Sequence, residues 1–286
     1  MELERSIAVD GVRLAVREWP GGGGSVLLLH GLASTSRIWD LVAPRLAREL
    51  RVVAYDQRGH GRSAKPSAGY GFDRTTADAL AVMRALRLGR PVVVGHSWGA
   101  NVALELAVRH PRALAGAVLL DGGFLNLRDR MDWPTARDAL APPDLAGIPV
   151  QAFLRRLRSR LGDVLEITPE VEAVFLSLVR VDSLGRIRPR LSRANHLRIL
   201  HALWAQDALD HLGRVRVPVL VLGVRSPSPS PDSEAFQREK VRAARLVLRI
   251  NDVVRFEWIE GIHDVPLQRP AAVAARVLRF ARRVDA

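Results

Sequence analysis

The chain has 286 residues, of which 48% are hydrophobic and 26% are charged, and it contains no cysteine. This composition is typical of a globular protein with a real core, and it excludes disulfides, thiolate nucleophiles and cysteine-ligated metal sites. No apolar run approaches the roughly 18 residues that cross a bilayer, and the first residues lack the features of a secretion signal. We therefore expect a cytoplasmic protein that works without a membrane.

The net charge of +13 raises the question of a nucleic-acid partner. The 43 basic residues are all arginine except Lys65 and Lys240, and they are spread over the whole chain. A nucleic-acid binder concentrates its positive charge on one segment or face. The densest run, at 155–160, fits the solvated face of a helix. We expect no nucleic-acid partner.

The first part of the chain predicts a β-hairpin and then strands that alternate with helices. Residues 6–19 alternate apolar and polar around Asp10-Gly11, which is a hairpin signal. The short apolar runs that follow do not alternate, as in strands buried on both faces of a parallel sheet. They lie at 26–29, 52–55, 92–94, 117–120 and 219–222, and helical stretches lie at 38–50, 75–88 and 100–109. This order predicts an α/β fold with a mostly parallel, doubly wound sheet.

No strand is predicted between residues 124 and 211. Amphipathic helices are predicted there from Pro149, from Thr168-Pro169 and over 191–209. Strands resume at Val217-Pro218 and again at 253–259, and a helix over 270–283 closes the chain. We expect a core made of 1–123 and 212–286, with 124–211 inserted as a helical cap.

One motif carries chemistry. Gly95-His96-Ser97-Trp98-Gly99 stands between a predicted buried strand and a predicted helix, which is the context that the pattern G-x-S-x-G requires. The turn is so sharp that the serine backbone is strained, and side chains at 95 and 99 would collide with neighbouring backbone. Ser97 would then project its hydroxyl above the sheet, beside the amide groups of a helix N-terminus.

Three further motifs follow predicted strands: His30-Gly31, the run from Asp56 to Ser63, and Gly261-Ile262-His263-Asp264. Together with the serine turn they resemble the α/β-hydrolase family over nearly the whole chain. The resemblance implies that His263 is the catalytic base and that the backbone N–H groups of Leu32 and Trp98 form an oxyanion hole. Only His263 combines a loop after a strand with the order serine, acid, histidine. No histidine cluster has metal-ligand spacing, and we expect no metal and no cofactor.

The acid of the triad is less certain than the other two members. Family members usually carry it after the strand that follows the cap, and here Ser226 stands near that position. Asp121, at the end of the strand 117–120, is favoured because some members place their acid there and because a strand end is better positioned than a Pro-rich loop. Asp232 is the alternative if the Ser-Pro stretch at 226–233 folds back, and neither residue is the third option.

The resemblance implies a serine hydrolase that cleaves small esters or lactones through an acyl-enzyme. Aromatic residues suggest an apolar pocket, with Trp98 at the turn and, in the cap, Trp133, Phe153, Phe175 and Trp204. Alternatives are a carbon-carbon or amide bond hydrolase, an acyltransferase, or a binding protein without turnover. The sequence leaves the oligomeric state open.

Overall fold

The chain begins with the predicted antiparallel hairpin. A computed structural model describes residues 2–227, 229 and 231–284, with the backbone alone at 231 and 232. Strand β1 (Leu3–Val9) pairs with β2 (Val12–Trp19) across a turn in which Asp10 and Gly11 have φ of 45° and 76°. Positive φ at both loop residues gives the turn a twist that matches the flanking strands.

The hairpin forms one edge of an 8-stranded sheet. The further strands are β3 (Ser25–Leu29), β4 (Arg51–Tyr55), β5 (Val92–His96), β6 (Gly116–Leu120), β7 (Val179–Val181), β8 (Ile187–Pro189), β9 (Val219–Arg225) and β10 (Val254–Glu260). The large sheet has the order β1-β2-β4-β3-β5-β6-β9-β10, and every pair is parallel except β1 with β2 and β2 with β4. The predicted sheet is therefore confirmed. The carboxyl ends of its parallel strands meet at one edge, where open α/β sheets bind ligands.

Helices cover both faces of this sheet. They are α1 (Ala43–Leu46), α2 (Phe72–Ala85), α3 (Trp98–Arg109), α4 (Trp133–Ala139), α5 (Val150–Leu161), α6 (Pro169–Leu176), α7 (Arg193–Ala205), α8 (Ala208–Arg214), α9 (Pro231–Ile250), α10 (Val265–Gln268) and α11 (Pro270–Val284). Side chains alternate along β3, so Leu27 packs in one apolar cluster with Leu104 of α3 and Leu28 in the other with Val277 of α11. The core thus has one layer on each face of the sheet. No helix in the described ranges is both long and apolar enough to cross a membrane.

One local expectation is wrong, and one helix was missed. The single helix expected over 38–50 is a 3₁₀ turn at Ser36–Trp39 followed by the short helix α1. Pro44 lies in the first turn of α1, where its missing N–H needs no partner, so it starts a new helix and cannot continue an earlier one. The missed helix is α9, which has 20 residues and follows the Ser-Pro stretch.

The segment between β6 and β9 is not purely helical. It contains α4 to α8, but β7 and β8 form an antiparallel hairpin within it. Asp182 Oδ1 accepts hydrogen bonds from the N–H groups of Leu184 and Arg186, and Gly185 has a φ of 69°, so this turn is held locally. The expected helices at Pro149, at Thr168-Pro169 and after 191 are present as α5, α6 and the pair α7 and α8.

Candidate active site

Ser97 lies in a strained turn between β5 and α3. Its φ of 55° and ψ of −125° belong to a region that L-residues rarely adopt. Its N–H donates to Leu120 O at 2.8 Å, which fixes the turn to the neighbouring strand β6. A Cβ built on Gly95 would lie 2.0 Å from Gly99 O, and one built on Gly99 would lie 2.4 Å from Leu29 O, so both positions need glycine, as the sequence predicted. The fold therefore keeps Ser97 in this position at the N-terminus of α3.

The loop after β3 touches Ser97. A Cβ on Gly31 would lie 2.9 Å from Ser97 Cβ and 3.4 Å from its Oγ, so only glycine allows this approach. The ring of His30 holds the loop: Nδ1 donates to Gly31 O at 2.8 Å, and Nε2 accepts from Gln57 N at 2.9 Å. Within the described part of the chain, the N–H of Leu32 and that of Trp98 donate to no protein acceptor. Both are free to bind a ligand oxygen.

Asp121 and His263 are in direct contact. Asp121 directly follows β6 and has a φ of 48°, and His263 follows β10. His263 Nδ1 is 2.7 Å from Asp121 Oδ2. The other carboxylate oxygen, Oδ1, accepts from Lys240 Nζ at 2.7 Å and from Val224 N at 3.0 Å. The structure thus brings together two of the predicted triad residues and adds a lysine that the sequence analysis did not single out.

These contacts set the charge states of the pair. Burial alone would raise the pKa of Asp121, but the hydrogen bond from His263 and the charges of His263 and Lys240 hold it far below its ordinary value. Packing against the protein lowers the pKa of His263, yet its hydrogen bond to Asp121 and the charge of that carboxylate raise it above 6.5. The side chain of His263 is nonetheless 55% exposed, whereas that of Asp121 is 2% exposed. The carboxylate is a fixed anion, and the imidazole is its accessible partner.

Ser97, Asp121 and His263 line one cavity of about 190 Å³. Its other walls are mostly apolar, with Trp98, Phe124, Leu125, Leu127, Leu203 and Phe236 among them. Two cations also line it, Arg130 and Lys240. Arg130 pairs with Glu239 at 2.7 Å, so both cations already have an acidic partner.

The aromatic residues expected to form the pocket lie elsewhere, apart from Trp98. Trp133 packs edge-on against His201 at 4.7 Å between ring centroids, and Trp204 donates its indole N–H to Met131 O at 2.8 Å. Phe153 lines a separate cavity of about 140 Å³. Phe175 packs against the core on the face of the sheet covered by α11. The aromatic walls that sequence reasoning missed are Phe124, which follows β6, and Phe236, on the unpredicted helix α9.

Other polar residues of the sequence motifs have structural surroundings. Burial lowers the pKa of His60 and of His96 to about 3, and His96 Nε2 donates to the backbone oxygen of His263 at 2.8 Å. Asp56 accepts hydrogen bonds from Ser36 and from the N–H of Arg62 and so fixes its own turn.

The side chain of Asp232, the alternative acid, lies outside the described residues. Among those residues, no group of three or more His, Asp or Glu side chains is arranged to hold a metal ion.

A strained serine beside free amide groups, with a histidine and a buried carboxylate in the same cavity, is the arrangement of a hydrolase with a nucleophile turn. A sequence profile described as the alpha/beta hydrolase fold matches residues 24–164. A protein of Mycobacterium phage D29, provisionally named a non-heme haloperoxidase, is 35% identical over 278 residues, covering 96% of this chain and 93% of the relative. The chain belongs to the α/β-hydrolase family and is a hydrolase.

Solved structures share the whole fold. E-2-(acetamidomethylene)succinate hydrolase has a TM-score of 0.78 at 24% identity, and the likeness covers 100% of both chains. The enol-lactonase from Burkholderia xenovorans LB400 has a TM-score of 0.67 at 20% identity over 96% of this chain and 99% of its own. At such identities the likeness concerns the fold, and it agrees with the predicted fold class.

Proposed function

We propose that Ser97, His263 and Asp121 are the catalytic triad of a serine hydrolase that cleaves carboxylic esters or lactones. The observation that carries this proposal is the 2.7 Å contact between His263 Nδ1 and Asp121 Oδ2 in the cavity that Ser97 also lines. Asp121 is the acid in this scheme, at the end of β6 and not after β9.

The charge states assign the direction of proton transfer. Because the ionised Asp121 can only accept a hydrogen bond, His263 Nδ1 must donate, and in the neutral ring Nε2 then carries the free electron pair. Nε2 takes the Ser97 proton as the serine oxygen attacks the substrate carbonyl. The imidazolium that results is stabilised by Asp121, and it returns its proton to the leaving alcohol. Water then repeats these steps and releases the acid.

Two backbone groups are proposed to bind the oxyanion. The N–H of Trp98 belongs to the N-terminus of α3, and the N–H of Leu32 follows Gly31, which is packed against Ser97. Donors that already point at the position of the developing charge need no reorganisation during the reaction. They support acyl transfer and require no metal or cofactor.

The cavity suggests the size and character of the substrate. A volume of about 190 Å³ with apolar walls fits a small or medium acyl group. Leu125, Leu127, Arg130 and Leu203 come from residues 124–211, and we propose that this segment acts as the cap over Ser97. The substrates would then be small molecules.

A second candidate changes only the acceptor of the acyl group. The name of the phage relative favours it, since a haloperoxidase uses peroxide. If hydrogen peroxide replaced water at the acyl-enzyme, the acyl group would leave as a peracid and Ser97 would regain its proton. Adding peroxide to the ester assay and measuring halide oxidation distinguishes the two reactions.

The test of the proposal is steady turnover of p-nitrophenyl esters from acetate to octanoate, together with a panel of lactones and amides. We expect turnover of short esters and lactones, with more than a 10³-fold loss in Ser97→Ala and in His263→Ala. The double variant should be scarcely worse than either single one, because the two side chains act as a unit. Binding without turnover, or equal rates in wild type and Ser97→Ala, would contradict it.

A further inference from the structure

Lys240 is a buried lysine beside the proposed triad. It lies in α9 and is 5% exposed. Its Nζ donates to Asp121 Oδ1 at 2.7 Å and to Val224 O at 2.9 Å, and it lies 5.0 Å from the ring centroid of Phe236. All of its described polar contacts are thus made to the triad carboxylate and to the strand next to it.

The contacts divide the Asp121 carboxylate between two sets of partners. Oδ1 accepts from Lys240 Nζ and from Val224 N, while Oδ2 accepts from His263 Nδ1. With Oδ1 held from two directions, the carboxylate cannot rotate without losing charge-assisted hydrogen bonds. The position of Oδ2, and with it the orientation of the His263 ring, therefore depends on Lys240.

The choice of residue is informative in this chain, where all basic residues are arginine except Lys65 and Lys240. An ammonium is a compact point charge, whereas a guanidinium is a wide planar fork. The space between Asp121, Val224 and Phe236 holds a point charge with two oxygen acceptors. The single ammonium of a lysine meets both acceptors, whereas the planar guanidinium of an arginine would meet them with a different geometry.

We propose that Lys240 is a positioning residue for Asp121 and that its charge sets the pH at which His263 becomes a base. This proposal rests on the function proposed above. A carboxylate shared by two cations attracts each of them less strongly than it would attract one. Lys240 would thus keep Asp121 ionised and, at the same time, prevent it from holding a proton on His263 at neutral pH.

In the part of the chain that the structure describes, few other charged groups act on His263. Asp121 and Asp264 raise its pKa, and the charge of Lys240 lowers it. The ring of His96, at 4.8 Å between centroids, faces it as a neutral group, because burial and the charge of His263 lower the pKa of His96 to about 3.

Two groups lie further out. Arg160 of α5 acts on Asp264, and Arg130 is paired with Glu239 of α9. Among the groups acting on His263, Lys240 is the cation that touches its carboxylate partner.

The test is the titration of His263, followed by NMR of the imidazole and, independently, by the pH dependence of kcat/KM. In Lys240→Met and Lys240→Gln the midpoint should rise by about one pH unit, because the opposing charge is removed. Lys240→Arg keeps the charge, so its midpoint should stay within about 0.3 pH units of wild type while its maximal rate falls. Lys65→Met is the matched control, since among the described residues Lys65 Nζ donates to Gly61 O and Ser63 O and to no triad residue, and the His263 midpoint should not move.

A second measurement needs no variant at position 240. With isotope-labelled lysine the protein gives two side-chain signals, and Lys65→Met assigns them. The Lys240 signal should shift at the same midpoint as His263, because both bind one carboxylate. Unchanged midpoints in the Met and Gln variants, or a Lys240 signal that does not respond to His263, would overturn the proposal.

These outcomes are separate from the fate of the proposed function. NMR midpoints that move as expected in a protein without ester or lactone turnover would support the role of Lys240 and refute the proposed reaction. Turnover that depends on Ser97, with identical pH profiles in all Lys240 variants, would support the proposed reaction and refute the role of Lys240.

Discussion

Asp121 and His263 are 142 residues apart in the chain, and a hydrogen bond of 2.7 Å joins them. The sheet order explains this contact. β6 and β10 are both neighbours of β9, and parallel strands bring their carboxyl ends to one edge. Asp121 reaches past β9, whose Val224 N–H binds its Oδ1. The Asp121 side chain therefore connects the ends of three strands: it follows β6, binds the backbone of β9 and contacts His263 after β10.

Asp121→Asn tests whether the contact between Asp121 and His263 is needed for catalysis. The neutral amide of this variant would not stabilise the imidazolium that forms on His263 during attack. We therefore expect turnover to fall on the order of 10⁴-fold. Asp232→Asn should keep nearly wild-type rates. The opposite ranking of the two variants in kcat for one ester would move the acid to Asp232.

A control is needed because Asp121→Asn also leaves Lys240 buried without its counter-ion. Removing one member of a buried pair costs about 3–5 kcal/mol. The double variant Asp121→Asn with Lys240→Met should recover part of that loss in urea unfolding without recovering turnover. Turnover that returns together with stability would mean that the single variant failed by unfolding.

The pH dependence of wild-type turnover follows from His263. Its pKa is raised above 6.5 by Asp121, and only the neutral ring can take the serine proton. kcat/KM should therefore be lost as the pH falls through a midpoint above 6.5, with a slope of one proton. A profile that stays flat down to pH 5.5 would exclude His263 as the base.

Gly31→Ala tests the loop that contacts Ser97. The new Cβ would lie 2.9 Å from Ser97 Cβ, so the loop must move and carry the N–H of Leu32 away. Loss of one oxyanion donor costs about 10²–10³ in kcat. The matched control is Gly22→Ala, where no atom lies within 4 Å of the added Cβ, and it should keep full activity. Equal kcat values for the two variants would remove Leu32 from the proposed site.

Substrate size should be controlled by the inner face of α7. Leu203 lines the cavity with Ser97, whereas Leu197, on the same helix, lines the surface hollow beside Trp133. Leu203→Phe should lower the rate ratio of hexanoate to acetate esters about tenfold, since it fills the acyl space. Leu197→Phe should leave this ratio unchanged. If the two variants gave the same ratio, the cavity would not be the acyl site.

The sequence predicted the sheet and the serine turn because both depend on local patterns. Apolar runs without alternation mark buried parallel strands, and Gly95 is required by its contact with Gly99 within the turn itself. Asp121 could be favoured through its place at a strand end and through the resemblance to a family. Its contact with His263 spans two strands, and no local pattern encodes it.

The pocket could not be predicted from composition. Trp133 and Trp204 are large and apolar, but whether they face Ser97 depends on how α4 and α7 pack together. Helix α9 did carry a signal, since residues 234–250 alternate charged and apolar groups with helical spacing. The Ser-Pro stretch before it is typical of a loop, so neither α9 nor its residues Phe236 and Lys240 were predicted.

Covalent labelling tests the central claim most directly. Wild type is treated with an alkyl phosphonate ester, which traps an activated serine, and the intact mass and the labelled peptide are measured. The account predicts one adduct on Ser97, no adduct in Ser97→Ala, and labelling at least 10²-fold slower in His263→Ala. An adduct on another residue, or equal labelling of Ser97→Ala, would contradict the proposed nucleophile.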